Sequence, residues 1–138
     1  MTNPDSFSVR VYYEDTDFSG NVYHAAYLKF MERARSEFLR QRQVHHTQLA
    51  KQGLAFAVRH IDIWYDCSAH IDDCLQIVTL VEKISGARLK LRQTIMRGER
   101  ILVRAGVEVV AISLSGRARR LPKELVAALK NDAIDNHD

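Results

Sequence analysis

Only one long stretch of this chain repeats its apolar residues at helical spacing, and nearly everything after it repeats at two. Between Tyr23 and Arg42, the residues Tyr27, Met31, Ala34 and Phe38 recur at i, i+4, i+7 and i+11, and Leu28 and Leu39 widen the stripe. That spacing predicts one amphipathic helix with a single face to bury. Arg33 with Glu37, and Glu32 with Arg35, are spaced to pair on its exposed side. Ahead of the helix, Phe7, Val9, Val11 and Tyr13 alternate with Ser8, Arg10 and Tyr12. Phe7–Tyr13 therefore reads as a half-buried strand, with Tyr13 on the apolar face and a core residue by default. Behind the helix, Leu54–Tyr65, Leu75–Ile84, Ala87–Arg97 and Arg100–Ser113 read as four strands. In the last of them Ile101, Val103, Ala105, Val107, Val109 and Ala111 share one face. Ser85-Gly86 and Arg97-Gly98-Glu99 carry the residues of hairpin turns. A polar, partly helical connection runs from His45-His46 to Gln52-Gly53. Pro122 opens a short helix, Lys123–Leu129, at a position where its missing N–H costs nothing. Residues 131–138 read as a polar, flexible tail.

The element order is strand, long helix, four antiparallel strands, short helix. It predicts an α+β fold, a five-stranded antiparallel sheet wrapped on one central helix, as a single domain over residues 1–138. One helix covers one face of such a sheet. The opposite face must stay polar or meet another subunit, and Leu102, Val110 and Ile112 make it partly apolar. A homo-oligomer, dimer or tetramer, is expected on that ground.

Several function classes fall away. The formal charge is +3, from 20 basic and 17 acidic side chains. That suits a ligand carrying phosphates and falls short of a dedicated nucleic-acid binder. No apolar run approaches the roughly 18 residues that span a bilayer. Met1-Thr2-Asn3-Pro4-Asp5 has neither a basic nor an apolar leader segment, so a cytoplasmic location is expected. Cys67 and Cys74 lack Cys-x-x-Cys spacing and read as free thiols. His45 and His46 are adjacent and cannot share a helix face as metal ligands do, and His60, His70 and His137 are scattered. No Gly-x-Ser-x-Gly elbow or Gly-rich phosphate loop is present.

The chemically informative run is Tyr13-Glu14-Asp15-Thr16-Asp17-Phe18-Ser19-Gly20-Asn21-Val22-Tyr23-His24-Ala25-Ala26-Tyr27. It sets carboxylates in a Gly-containing loop just before the long helix. The first N–H groups of a helix have no internal partners, and its dipole adds positive potential there. Such an end can hold a developing oxyanion, while a nearby Asp attacks a carbonyl or orients water to do so. His24 can donate hydrogen bonds around the same point. The plainer alternative is that Asp17 or Asp15 simply caps the helix, a role worth about 1 kcal/mol. Spacing alone leaves both open.

The run Tyr13–Tyr27, with Phe30, Glu32, Ala34 and Arg35 after it, resembles the signature of the 4-hydroxybenzoyl-CoA thioesterase family. Within that family it is most similar to the Tol-Pal-associated acyl-CoA thioesterase branch. The resemblance implies a hot-dog fold, hydrolysis of an acyl-CoA thioester without a metal or redox cofactor, and an active site between paired subunits. It implies Asp17 as the catalytic carboxylate, with Tyr13 and His24 as supporting residues and the amide of His24 or its neighbour as the oxyanion contact. Phe18, Asn21 and Ala26 depart from the family pattern, which bears on acyl specificity more than on chemistry. Glu32 is a second candidate carboxylate, set against its reading as an exposed partner of Arg35. For the phosphates of coenzyme A, Arg88, Lys90 and Arg92 on one strand face are preferred over Arg117, Arg119, Arg120 and Lys123 near the last helix. The alternative for both groups is solvated charge. Acyl-carrier protein is the alternative carrier of the acyl group. A non-catalytic acyl-CoA or acyl-carrier-protein binding partner is the alternative function.

Overall fold

The computed structural model describes residues 6–130, so the expected flexible tail lies outside the described residues. The strands are β1 (Ser6–Arg10), β2 (Leu54–Tyr65), β3 (Cys74–Ser85), β4 (Arg88–Arg97) and β5 (Arg100–Ser113), and the helices are α1 (Ala26–Gln41), α2 (His46–Lys51) and α3 (Lys123–Lys130). The strands form one five-stranded sheet in the order β1-β3-β4-β5-β2, with β1 antiparallel to β3 and Val9 opposite Leu75. β3, β4 and β5 are joined by two-residue turns at Gly86-Ala87 and Gly98-Glu99. Each turn has positive φ at its glycine alone, 59° at Gly86 and 63° at Gly98, the sign pattern of a type II′ hairpin. No helix among the described residues is long and apolar enough to cross a membrane.

The described residues group into two compact units. The first takes the chain up to Phe38, with Ile63–Thr79 and Gln93–Ala105. In its core, Ala26, Tyr27, Phe30, Met31 and Ala34 of α1 pack among Leu75 and Ile77 of β3, Ile95 of β4, and Leu102, Val103 and Ala105 of β5. The helical stripe and the period-two faces thus bury one another, each large side chain contributing roughly 1.5–3 kcal/mol. One polar side chain sits fully inside. Gln93 is 0% exposed; its amide donates to the Met31 carbonyl and to Thr79 Oγ1, each at 3.0 Å, and its oxygen accepts from Arg35 at 3.0 Å.

The second unit takes Leu39–Asp62, Leu80–Arg92 and the described residues from Gly106. Its segments of β3, β4 and β5 alternate, burying Val81, Leu89, Leu91, Val107, Val109 and Ala111, while its segment of β2 does not. α1 ends here at Gln41. Val44 N–H reaches the Leu39 carbonyl and Gln43 N–H the Arg40 carbonyl, with Gln43 at φ 63°, a Schellman arrangement that closes the helix without glycine.

Three expectations are corrected. The first strand stops at Arg10, and Tyr13 lies in a short 3-10 turn, Tyr13–Asp15, 83% exposed rather than in the core. α1 starts at Ala26, because Val22 is held in a bridge to Thr16 and Tyr23 N–H is bonded to the Asp15 carbonyl. Leu102 is fully buried, not on the outer face, and Ile101 is the exposed one. There the N–H groups of Asp66 and Cys67 both donate to the Leu102 carbonyl, at 2.8 and 3.0 Å. Two residues against one is a β-bulge, and the strict alternation of β5 fails beside it.

Candidate active site

The loop ahead of α1 is a tight hairpin with a definite geometry. Gly20 N–H donates to the Asp17 carbonyl at 3.1 Å and Asp17 N–H to the Asn21 carbonyl at 2.8 Å, while Thr16 and Val22 form an antiparallel bridge. That is a three-residue loop, a β-turn closed by a bulge residue in the left-handed region, here Gly20 at φ 83°. The loop is pinned to the segment before β3 through the Asn21–His70 bridge and by Val22 N–H on the Ala69 carbonyl at 2.8 Å. Ala69 N–H in turn donates to the buried Tyr27 hydroxyl at 2.9 Å. The same five-residue bend recurs in the second unit: Gly116 N–H meets the Ser113 carbonyl at 2.9 Å, Ser113 N–H meets the Arg117 carbonyl at 2.8 Å, and Gly116 has φ 86°.

Asp17 heads the first bend and is exposed. Its Oδ1 accepts the Ser19 N–H at 2.8 Å and also the Ser19 hydroxyl. These hydrogen bonds, the hydroxyl foremost, hold the carboxyl below its ordinary value of 3.8, so it is ionised across the neutral range. Asp15 has a different task. Its Oδ2 accepts the Tyr12 N–H at 2.9 Å, which ties the 3-10 turn together. The two aspartates that spacing left equivalent are therefore separated by their partners: Asp15 is structural, Asp17 is presented to solvent.

Between the hairpin and α1, residues 24 and 25 form a turn closed by Ala26 N–H on the Tyr23 carbonyl at 2.8 Å. The N–H groups of His24 and Ala25 donate to nothing among the described residues. The exposed His24 ring lies 4.5 Å from that of Tyr23 and 6.3 Å, edge-on, from that of Tyr65. Asp17, Tyr13 and His24 share this short stretch, but among the described residues no hydrogen bond or ring contact joins them to one another. Glu32 is exposed, and no ion pair joins it to Arg35 among the described residues; the Arg35 guanidinium donates to Gln93 at 3.0 Å, and burial lowers its pKa against the opposing charge of Glu32.

The arrangement, an ionised carboxylate a few residues from unpaired amides at a helix start, can bind and attack a carbonyl carbon. Comparison with known proteins points the same way. Residues 11–129 match the thioesterase-like superfamily.

The chain belongs to that superfamily.

The thioesterase-like chain is 44% identical over 131 residues to the Haemophilus influenzae acyl-CoA thioesterase YbgC, covering 93% of this chain and 96% of that one. It is 43% identical over 124 residues to the Escherichia coli O157:H7 acyl-CoA thioester hydrolase YbgC, covering 88% and 92%. Among solved structures, a Bartonella henselae probable thioesterase aligns with a TM-score of 0.82 at 48% identity, over 85% of this chain and 98% of that one. The 1,4-dihydroxy-2-naphthoyl-CoA thioesterase of Synechocystis aligns with a TM-score of 0.84 at 24% identity, over 96% and 98%, a likeness of fold. The fold is the hot-dog fold that the family resemblance implies.

In this thioesterase-family member the cationic residues expected to meet the coenzyme A phosphates lie in the second unit. Arg88, Lys90 and Arg92 are exposed on one face of β4, as expected, but each already meets a carboxylate. Lys90 and Arg92 approach Glu82 at 3.8 and 3.4 Å, and Arg88 approaches Glu108 at 4.0 Å. Arg59 holds Glu108 more closely, at 2.7 Å. A groove of about 410 Å³ runs between Arg59 and Arg88, floored by Val110 and Ile112. Sequence reasoning missed Arg59, and also Ser19, Tyr27 and Tyr65. For Ser19 a signal was present, since Asp-x-Ser at a turn commonly makes such a side-chain-to-backbone bond.

Proposed function

We propose that this chain hydrolyses acyl-CoA thioesters to a free acid and coenzyme A, with Asp17 as nucleophile or general base. The observation that carries the reading is one short segment holding both an ionised, exposed Asp17 and the unpaired N–H groups of His24 and Ala25. Sequence identity of 44% to an acyl-CoA thioesterase supports the substrate class. On the nucleophilic route a carboxylate oxygen of Asp17 attacks the thioester carbon, the C–S bond breaks, and water then cleaves the mixed anhydride. On the general-base route Asp17 takes a proton from water, the hydroxide attacks, and the proton passes to the departing thiolate. In both, the His24 or Ala25 amide holds the oxyanion, while Tyr13 and His24 position substrate or water.

The second unit's cationic groove, with Arg88, Lys90 and Arg92 beside it, is the proposed contact for the coenzyme A phosphates. There a phosphate would compete with Glu82 and Glu108 for the same cations. An exposed carboxylate needs water excluded around it for efficient chemistry, so the site is proposed to be completed by a second copy of the chain, in a dimer or tetramer. Acyl-carrier protein is an alternative carrier for the same thioester.

Asp17→Asn, which keeps the turn's acceptor, is expected to fold normally and lose on the order of 10²–10⁴-fold in turnover. Thiol trapping over a panel of acyl-CoA substrates measures this. A folded variant with near-normal turnover rejects Asp17, and a wild-type protein that binds acyl-CoA but releases no thiol leaves the binding-partner alternative standing. Incorporation of oxygen-18 into Asp17 in a single turnover separates the two routes.

A further inference from the structure

At the start of α1 one carbonyl is claimed by a side chain from far along the sequence. The Tyr65 hydroxyl donates to the His24 backbone oxygen at 3.1 Å. In a regular helix that oxygen would accept the N–H of Leu28, but Leu28 bonds instead to the Ala25 carbonyl at 3.2 Å. Tyr65 therefore supplies the partner that the irregular first turn withholds. The peptide joining His24 to Ala25 is trans and planar, so its oxygen and the Ala25 N–H point in opposite directions within one plane. Fixing the oxygen fixes the amide.

Tyr65 is well placed to hold that plane. It is the last residue of β2, and its ring lies 5.5 Å from that of Tyr27, whose own hydroxyl is tied to the Ala69 amide. Its ring also meets His24 edge-on, at 82° between planes. The hydroxyl and the ring thus act on neighbouring parts of one residue, its carbonyl and its imidazole.

Resting on the thioester-hydrolase reading, we infer that Tyr65 is a positioning residue: its hydroxyl sets the 24–25 peptide so that the Ala25 N–H is presented to the oxyanion, and its ring sets the His24 imidazole. Tyr65 itself touches no reacting atom. An oxyanion donor acts mainly in the transition state, so its misalignment lowers kcat and leaves substrate binding largely alone. If the hydroxyl only satisfied a carbonyl beside solvent, water would replace it and neither constant would move.

The experiment compares wild type, Asp17→Asn and Tyr65→Phe on one acyl-CoA substrate by thiol release, with melting followed in parallel. Tyr65→Phe is expected to lower kcat about tenfold, less than the 10²–10³ seen when a whole donor is removed, with KM within about twofold. A kcat within about twofold of wild type, or a loss carried by KM, overturns the inference while the Asp17→Asn result still judges the broader reading. Absence of turnover in wild type overturns both. If Tyr65→Phe does not fold, 3,5-difluorotyrosine placed at position 65 keeps ring and hydroxyl and ionises near neutrality. Its phenolate cannot donate, so kcat should fall with rising pH where the wild type stays level. A profile parallel to the wild type overturns the inference.

Discussion

A carboxylate that collects two hydrogen bonds on one oxygen keeps its charge to lower pH than a free one. Asp17 is in that position through Ser19, the hydroxyl contributing most. Its folded pKa is depressed, so any stability it lends is complete above the unfolded value near 3.8 and is lost as pH falls through the lower folded value. Neutral pH lies outside that window. The catalytic consequence has the same sign. Ser19→Ala removes the largest contribution, so the acid limb of the rate profile should move to higher pH while the plateau holds. A pH–rate series reads this directly, and an unmoved limb would mean that another group titrates there. At this scale the sequence was only half legible. It singled out one loop, but Asp15 and Asp17 could not be ranked by spacing, because the Tyr12 N–H that occupies Asp15 belongs to a 3-10 turn that the alternation of residues 7–13 concealed.

Elements were easier to read, and their exceptions share a cause. The bounds of β2 and β5 agree with the strands read from the sequence, and the glycine turns follow from composition. α1 was overextended at both ends because its start is set by the Thr16–Val22 bridge and its stop by a left-handed Gln43, neither marked by proline or glycine. Gln93 illustrates the complementary case. Period two places it inward between Leu91 and Ile95, and its residue type alone would argue against burial. Three hydrogen bonds reconcile the two, linking β4 to β3 through Thr79 and to α1 through Met31 and Arg35. Gln93→Ala would leave a cavity and strip a half-buried guanidinium of its acceptor, and should destabilise by about 2–4 kcal/mol. Urea unfolding with an unchanged slope and a lowered midpoint is the expected record. A midpoint within error of wild type would show that water serves Arg35 equally well.

For the whole molecule, fold class was legible because one helical stripe and five strand segments admit few layered arrangements. Association is less directly written. The expected apolar content of the outer face loses Leu102 to the core, but Val110 and Ile112 remain half-exposed. Around the hairpin of the first unit, Tyr12, Tyr13, Phe18 and Tyr23 are all exposed, Phe18 completely. Aromatic side chains concentrated on one loop favour a covered state. Light scattering at micromolar concentration should therefore give at least twice the chain mass of 15.8 kDa, and a monomeric mass would contradict the shared-site proposal.

The twin bends carry one last implication. Ser113 heads its copy as Asp17 heads the other, and its hydroxyl likewise leans toward the residue two places on, meeting the Ser115 hydroxyl at 2.8 Å. A plain alcohol thus heads the same backbone bend, although it takes the Arg117 N–H at 3.3 Å where Asp17 takes the N–H two places on. The bend itself therefore forms without an acid at its head, and on the proposed reading the charge at position 17 serves the thioester rather than the turn.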